Sequence, residues 1–93
     1  MTAKYEAMMI FSLKNGEEGV ATLVEKFKAL IEKNGTEVSV DEWGKRKLAY
    51  LIEDEAEGHY VLYNFDSEAS FPQELERVAK ITDGVLRIMT VRK

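Results

Sequence analysis

Residues 43–50 read WGKRKLAY, and residues 84–93 read GVLRIMTVRK. Lys45, Arg46 and Lys47 stand side by side in the first stretch; Arg87, Arg92 and Lys93 fall in the second. Neither stretch holds an acidic residue. Together these 18 residues carry six cations, while the other 75 carry 7 cations, Lys4 among them, and 17 acids. The formal charge of −4 therefore conceals two basic segments in an acidic chain. Their chemistry is anion contact, because phosphate binding answers to local charge rather than to the net value. Charge runs are commonly solvated faces. These two coincide with strand-like patterns, which would hold the cations in fixed places.

The other reactive residues are less organised. His59 follows an acidic stretch, EDEAEG (53–58), and with Asp54 and Glu57 it offers three metal-ligating side chains. They have no recognised ligand spacing, so a structural role at a strand end is expected for His59. Glu53, Asp54, Glu55 and Glu57 lack the alternating pattern of a calcium loop. The chain has no cysteine, hence no thiol nucleophile, disulfide framework or thiolate metal site. It shows no P-loop, nucleophile elbow or G-x-G-x-x-G turn. Neither enzymatic activity nor a metal or cofactor is expected.

The elements that must position these residues follow from periodicity. KYEAMMIFSL (4–13) is rich in strand formers and apolar on both parities, as in a central strand. Val20, Leu23, Val24, Phe27, Leu30 and Ile31 recur at spacings of three and four, predicting an amphipathic helix over 17–34. Asn34-Gly35 is read as its stop, with glycine in the left-handed conformation. Residues 36–52 read as one long strand bent at Gly44, since an isolated glycine inside a strand marks a bulge. EDEAEG reads as a loop, and HYVLYNF (59–65) as a strand. Ser70-Phe71-Pro72 announces a second helix, serine capping it and proline in its first turn. Asp83-Gly84 makes a turn, and VLRIMTVR (85–92) closes as a strand.

With 93 residues, 45% of them hydrophobic, the chain suits one small domain spanning 1–93. No apolar run reaches the ~20 residues of a membrane span. The first residues, interrupted by Glu6, read as a mature cytosolic start. Strand, helix, strand, strand, helix, strand, with right-handed crossovers, predicts an α+β ferredoxin-like split βαβ plait. Its antiparallel sheet would have the order 4-1-3-2, with both helices on one face. Tyr5, Ala7, Met9, Phe11, Val61, Tyr63 and Phe65 then face the helices, joined by Leu86 and Ile88. The open face receives Glu6, Met8, Ile10, Tyr60, Leu62, Asn64, Arg87, Met89 and Val91. An apolar patch of that extent marks an interaction surface, and methionine suits an adaptable one. Tyr60 is the only aromatic placed there, so the base-stacking signature of RNA-binding plaits is missing.

Several stretches together carry a resemblance: K-Y-E at 4–6, W-G-K-R-K-L-A-Y at 43–50, the glycine-aromatic hairpin exit near Gly58, and R-I-M-T-V at 87–91. In this order, over essentially the whole chain, they resemble the bacterial small-ribosomal-subunit protein S-six family. Gly44, Arg46, Leu48, Ala49 and Tyr50 form the specific part; Trp43 and its acidic neighbours lie outside it. The resemblance implies a ferredoxin-like fold, no enzymatic activity, and a structural role in the small subunit. It implies binding to the central domain of small-subunit ribosomal RNA jointly with ribosomal protein S-eighteen, as a heterodimer. No membrane or small-molecule substrate is implied. Lys4, Lys45, Arg46, Lys47, Arg87, Arg92 and Lys93 are then candidates for phosphate contacts or for the RNA-proximal edge of the partner interface. The alternatives are a plait-fold regulatory or metabolite-binding protein, and a homodimer joined through the open sheet.

Overall fold

The computed structural model describes residues 2–14, 16–52 and 55–93. Six elements follow one another: β1 (Thr2–Phe11), α1 (Gly16–Asn34), β2 (Gly35–Ile52), β3 (Glu55–Glu68), α2 (Phe71–Lys80) and β4 (Val85–Arg92). The sheet order is β2-β3-β1-β4, with every pairing antiparallel. Read from the other edge this is the expected 4-1-3-2. β1 is central because its apolar residues occupy both faces, and only an inner position flanked by β3 and β4 covers them.

Parity sorts the core. Tyr5, Ala7, Met9 and Phe11 of β1 and Val61, Tyr63 and Phe65 of β3 are buried, as the alternation requires. α1 lays Val20, Val24, Phe27 and Ile31 on them, and α2 adds Phe71, Leu75 and Ala79. The Tyr63 hydroxyl donates to the Val24 carbonyl at 2.9 Å, which ties the sheet to the middle of α1. Burial, with Glu42 and Glu25 nearby, pushes the Tyr63 phenol well above its ordinary range, so it remains a neutral donor.

Four local expectations are corrected. Gly35 does not take the left-handed conformation; the positive φ falls on Glu37, at 51°. α1 stops instead where the Asn34 side-chain amide donates to the Leu30 carbonyl at 2.9 Å. Ser70 occupies the N-cap of α2 but makes no side-chain cap hydrogen bond, because its own backbone is already helical (φ −78°, ψ −22°). Residues 55–58 belong to β3 rather than to a loop, so the β2–β3 hairpin is longer than its sequence suggested. Leu86 does not join the core. The register shifts between Ile10 and Phe11, which face Arg87 and Val85, and Val85 takes the inward place beside Ile88.

The hairpin runs on past the end of β1, and its far part is tied down. Glu55 accepts hydrogen bonds from the Ser12 hydroxyl at 2.9 Å on both carboxylate oxygens and from the Leu13 N–H at 3.3 Å. The Lys14 ammonium lies 3.8 Å from it. One carboxylate thus binds three successive residues at the corner between β1 and α1. On the other side, Arg87 of β4 donates to the Tyr50 hydroxyl of β2 at 2.6 Å. β2 and β4 are the two edges of the sheet, so this bond requires the hairpin to bend across the end of the strands between them.

Candidate functional site

The three cations of WGKRKLAY are displayed by the irregular half of β2. Gly44 has φ +80°, a conformation that side-chain-bearing residues resist. The β2–β3 register shifts between Glu42 and Gly44, leaving Trp43 as the extra residue of a bulge. Beyond it, Lys45, Arg46 and Lys47 face His59, Gly58 and Glu57. Lys45 lies on the helix side with His59, and its ammonium is 3.5 Å from Glu57. Arg46 turns to the open side. With Trp43, Lys47 and Tyr60 it lines a shallow depression of about 440 Å³.

Every described carboxylate beside this depression is occupied. Asp41 accepts the Trp43 indole N–H at 3.0 Å. Glu42 is 3.3 Å from His59. Glu57 pairs with Lys45 and Glu55 binds the β1–α1 corner. Among the described residues, neither Arg46 nor Lys47 meets an acid. Local pairing therefore neutralises Lys45 and leaves the next two cations exposed.

The remaining predicted cations do not join them. The rows of Lys4 and Arg46 are about eight residues of strand apart, roughly 26 Å at 3.3 Å per residue. At that distant end the Lys93 N–H donates to the Lys4 carbonyl, and the Lys93 ammonium lies 3.0 Å from Glu6. Arg92 opposes Tyr5 and so shares the helix side. Arg87 lies at the hairpin end, held by Tyr50. The structure thus divides the candidates into two groups at opposite ends of the sheet.

The open face is ordered by register into three rows: Asn64–Glu6–Val91, Leu62–Met8–Met89 and Tyr60–Ile10–Arg87. This places Arg87, Met89 and Val91 on the face expected of them. Met89 and Val91 are 46% and 59% exposed, and Met8 and Leu62 half-buried. Ile10 is only 7% exposed, although it is not on the core side. A Cβ on Gly58 would stand 2.5 Å from the Ile10 Cγ2 and 3.6 Å from Leu86 Cδ1, so the bare glycine lets these side chains settle against β3. Asn64 Oδ1 is buried on the same face with no hydrogen-bond partner among the described residues.

Sequence reasoning missed the hairpin's exposed apolar side chains: Trp43, Tyr50 and Leu51. The signal for Trp43 was its place beside the glycine that makes the bulge. His59 has the strand-end position expected of it, paired with Glu42. No cluster of metal-ligating side chains exists among the described residues, and Asp54 and Glu53 lie outside them. No helix there is long and apolar enough to cross a membrane.

Comparison with known proteins agrees with this architecture. The family model described as Ribosomal protein S6 matches residues 4–92. Small ribosomal subunit protein bS6 of Thermoanaerobacter pseudethanolicus is 57% identical over 89 residues, covering 95% of this chain and 94% of that one. The Clostridium novyi protein of the same name is 51% identical over 88 residues, covering 94% and 93%. The crystal structure of 30S ribosomal protein S6 from Thermotoga maritima superposes with a TM-score of 0.89 at 32% identity. It covers 100% of this chain and 89% of its own.

Proposed function

The chain belongs to the ribosomal protein S6 family, and on that premise we propose that it binds the central domain of small-subunit ribosomal RNA together with ribosomal protein S-eighteen. As a member it is a structural protein of the small ribosomal subunit, located in the cytoplasm and without enzymatic activity. The joint RNA and protein contacts are the step beyond that membership.

The observation that carries the RNA reading is the unneutralised pair Arg46 and Lys47. A cation with a carboxylate neighbour must surrender that bond before it can take a phosphate. These two have none to surrender, on a strand whose neighbouring acids are already engaged. Arginine can grip a phosphate through two N–H groups, where lysine acts as a point charge. Such contacts position a protein on RNA without reading its sequence.

The partner reading rests on the open face. Met8, Leu62, Met89 and Val91 form an accessible apolar strip, and Asn64 Oδ1 at its edge lacks a donor. The net charge of −4 favours a basic partner. Ile10 is too buried to meet that partner directly, so Met89 and Val91 carry the contact.

Arg46→Ala tests the RNA contact. RNA affinity of the partner-bound protein is measured across a salt series, beside a denaturant melt. The expected result is weaker binding and a salt slope reduced by about one unit, with stability changed by less than ~0.5 kcal/mol. Unchanged slope and affinity would remove Arg46 from the interface.

A further inference from the structure

We propose that the depression at Trp43 is a stacking site for one unpaired RNA nucleobase, with the adjoining phosphates on Arg46 and Lys47. This rests on the RNA reading above and deepens it. That reading asks only for backbone charge contacts; this one assigns a base to a particular ring.

Trp43 occupies the bulge, so its side chain is not packed into the strand ladder, and it is 43% exposed. Yet the ring is not free to wander. Its N–H is bonded to Asp41 two residues earlier, which fixes one edge and satisfies its only polar group. What remains to offer a ligand is the π face. Tyr60 stands across the depression, and Arg46 and Lys47 complete its lining. An anchored aromatic face beside unpaired cations combines the two elements of single-strand recognition: a platform for a base and charge for the backbone.

The charge distribution selects this occupant. An aliphatic side chain from a protein partner would fill an apolar pocket but would leave two cations without counter-charge. A nucleotide supplies the flat apolar ring and the anion in one unit. Paired RNA does not fit, because its bases are stacked inside the helix and unavailable to a side chain. The site therefore requires a base splayed from a loop, bulge or strand end. It should tolerate any base, since every base has a π face.

Trp43 is the only tryptophan in the chain, so its emission reports on the site directly. The intact protein is titrated with an oligoadenylate of about eight nucleotides, and separately with a fully paired RNA duplex of equal phosphate number. The oligoadenylate is expected to quench the emission, and the duplex to leave it nearly unchanged. Trp43→Ala should weaken oligoadenylate binding about tenfold or more without changing its salt slope, whereas Trp43→Phe should keep most of the affinity. Arg46→Ala should lower the slope by about one unit. Salt-dependent RNA binding without quenching, or equal quenching by the duplex, would overturn the stacking site and leave the phosphate contacts standing. Emission that responds to S-eighteen and not to RNA would assign the depression to the protein partner instead. Failure of the partner-bound protein to bind any RNA would overturn the RNA reading itself.

Discussion

The two faces of the sheet are made by the same strands but used differently. Toward the helices, Ala7, Met9 and Phe11 of β1 and Val61 and Tyr63 of β3 lose all contact with solvent. Toward the open side the alternating neighbours Glu6, Met8, Leu62 and Asn64 are only half covered. The closed face holds stability: large side chains at native packing density, where each lost methylene is felt. The open face holds unspent apolar surface, which a partner can cover. Ile10 breaks the symmetry. It points to the open side and is nonetheless buried, because Gly58 lets it approach β3 and the hairpin bends past its row.

Substitutions can break or sharpen this contrast. The largest effect belongs to the closed face. Phe27→Ala removes a fully buried ring that stacks on Phe11 at 6.0 Å, and is expected to cost about 3–5 kcal/mol in a denaturant melt. At the buried spot of the open side, Gly58→Ala should cost about 1–3 kcal/mol, because the new methyl collides with Ile10. Ile10→Ala in the same chain removes the colliding atom, so the double variant should be more stable than the sum of single costs predicts. Additive costs would show that the two do not touch. On the accessible strip the effect on folding is smallest. Met89→Asp should move stability by less than ~0.5 kcal/mol yet abolish co-elution with S-eighteen on a sizing column. A folded Met89→Asp protein that still pairs would remove this strip from the interface.

The legibility of the sequence follows the same division. Period-two and period-3.6 patterns placed all six elements and the sheet order, because the closed face imposes its alternation on β1 and β3. Parity failed where a strand carries an extra residue. The shift opposite Ile10 and Phe11 exchanged Leu86 for Val85, and the bulge at Trp43 brought to the open side an aromatic that strict alternation did not place there. Nor could alternation say that Ile10 is buried, since that depends on a glycine 48 positions away in the chain. The cations were visible as a run, but which of them remain free is a matter of pairing in space. Lys45 meets Glu57 across the hairpin, and Arg46 and Lys47 meet no described acid. Ser70 failed as a side-chain cap for a local reason, its backbone already lying in the helical region.

The grip of Glu55 on Ser12, Leu13 and Lys14 has a mechanical consequence. A two-stranded ribbon projecting from a sheet is a cantilever, and a free one sways most at its tip. Glu55 stands near that tip, so its bonds prop the beam far from its root and shorten the length left to swing. The span carrying Trp43 and Arg46 lies between root and prop, where deflection is least. RNA arriving there meets a surface already held in position, and little of the contact energy is consumed in stilling it.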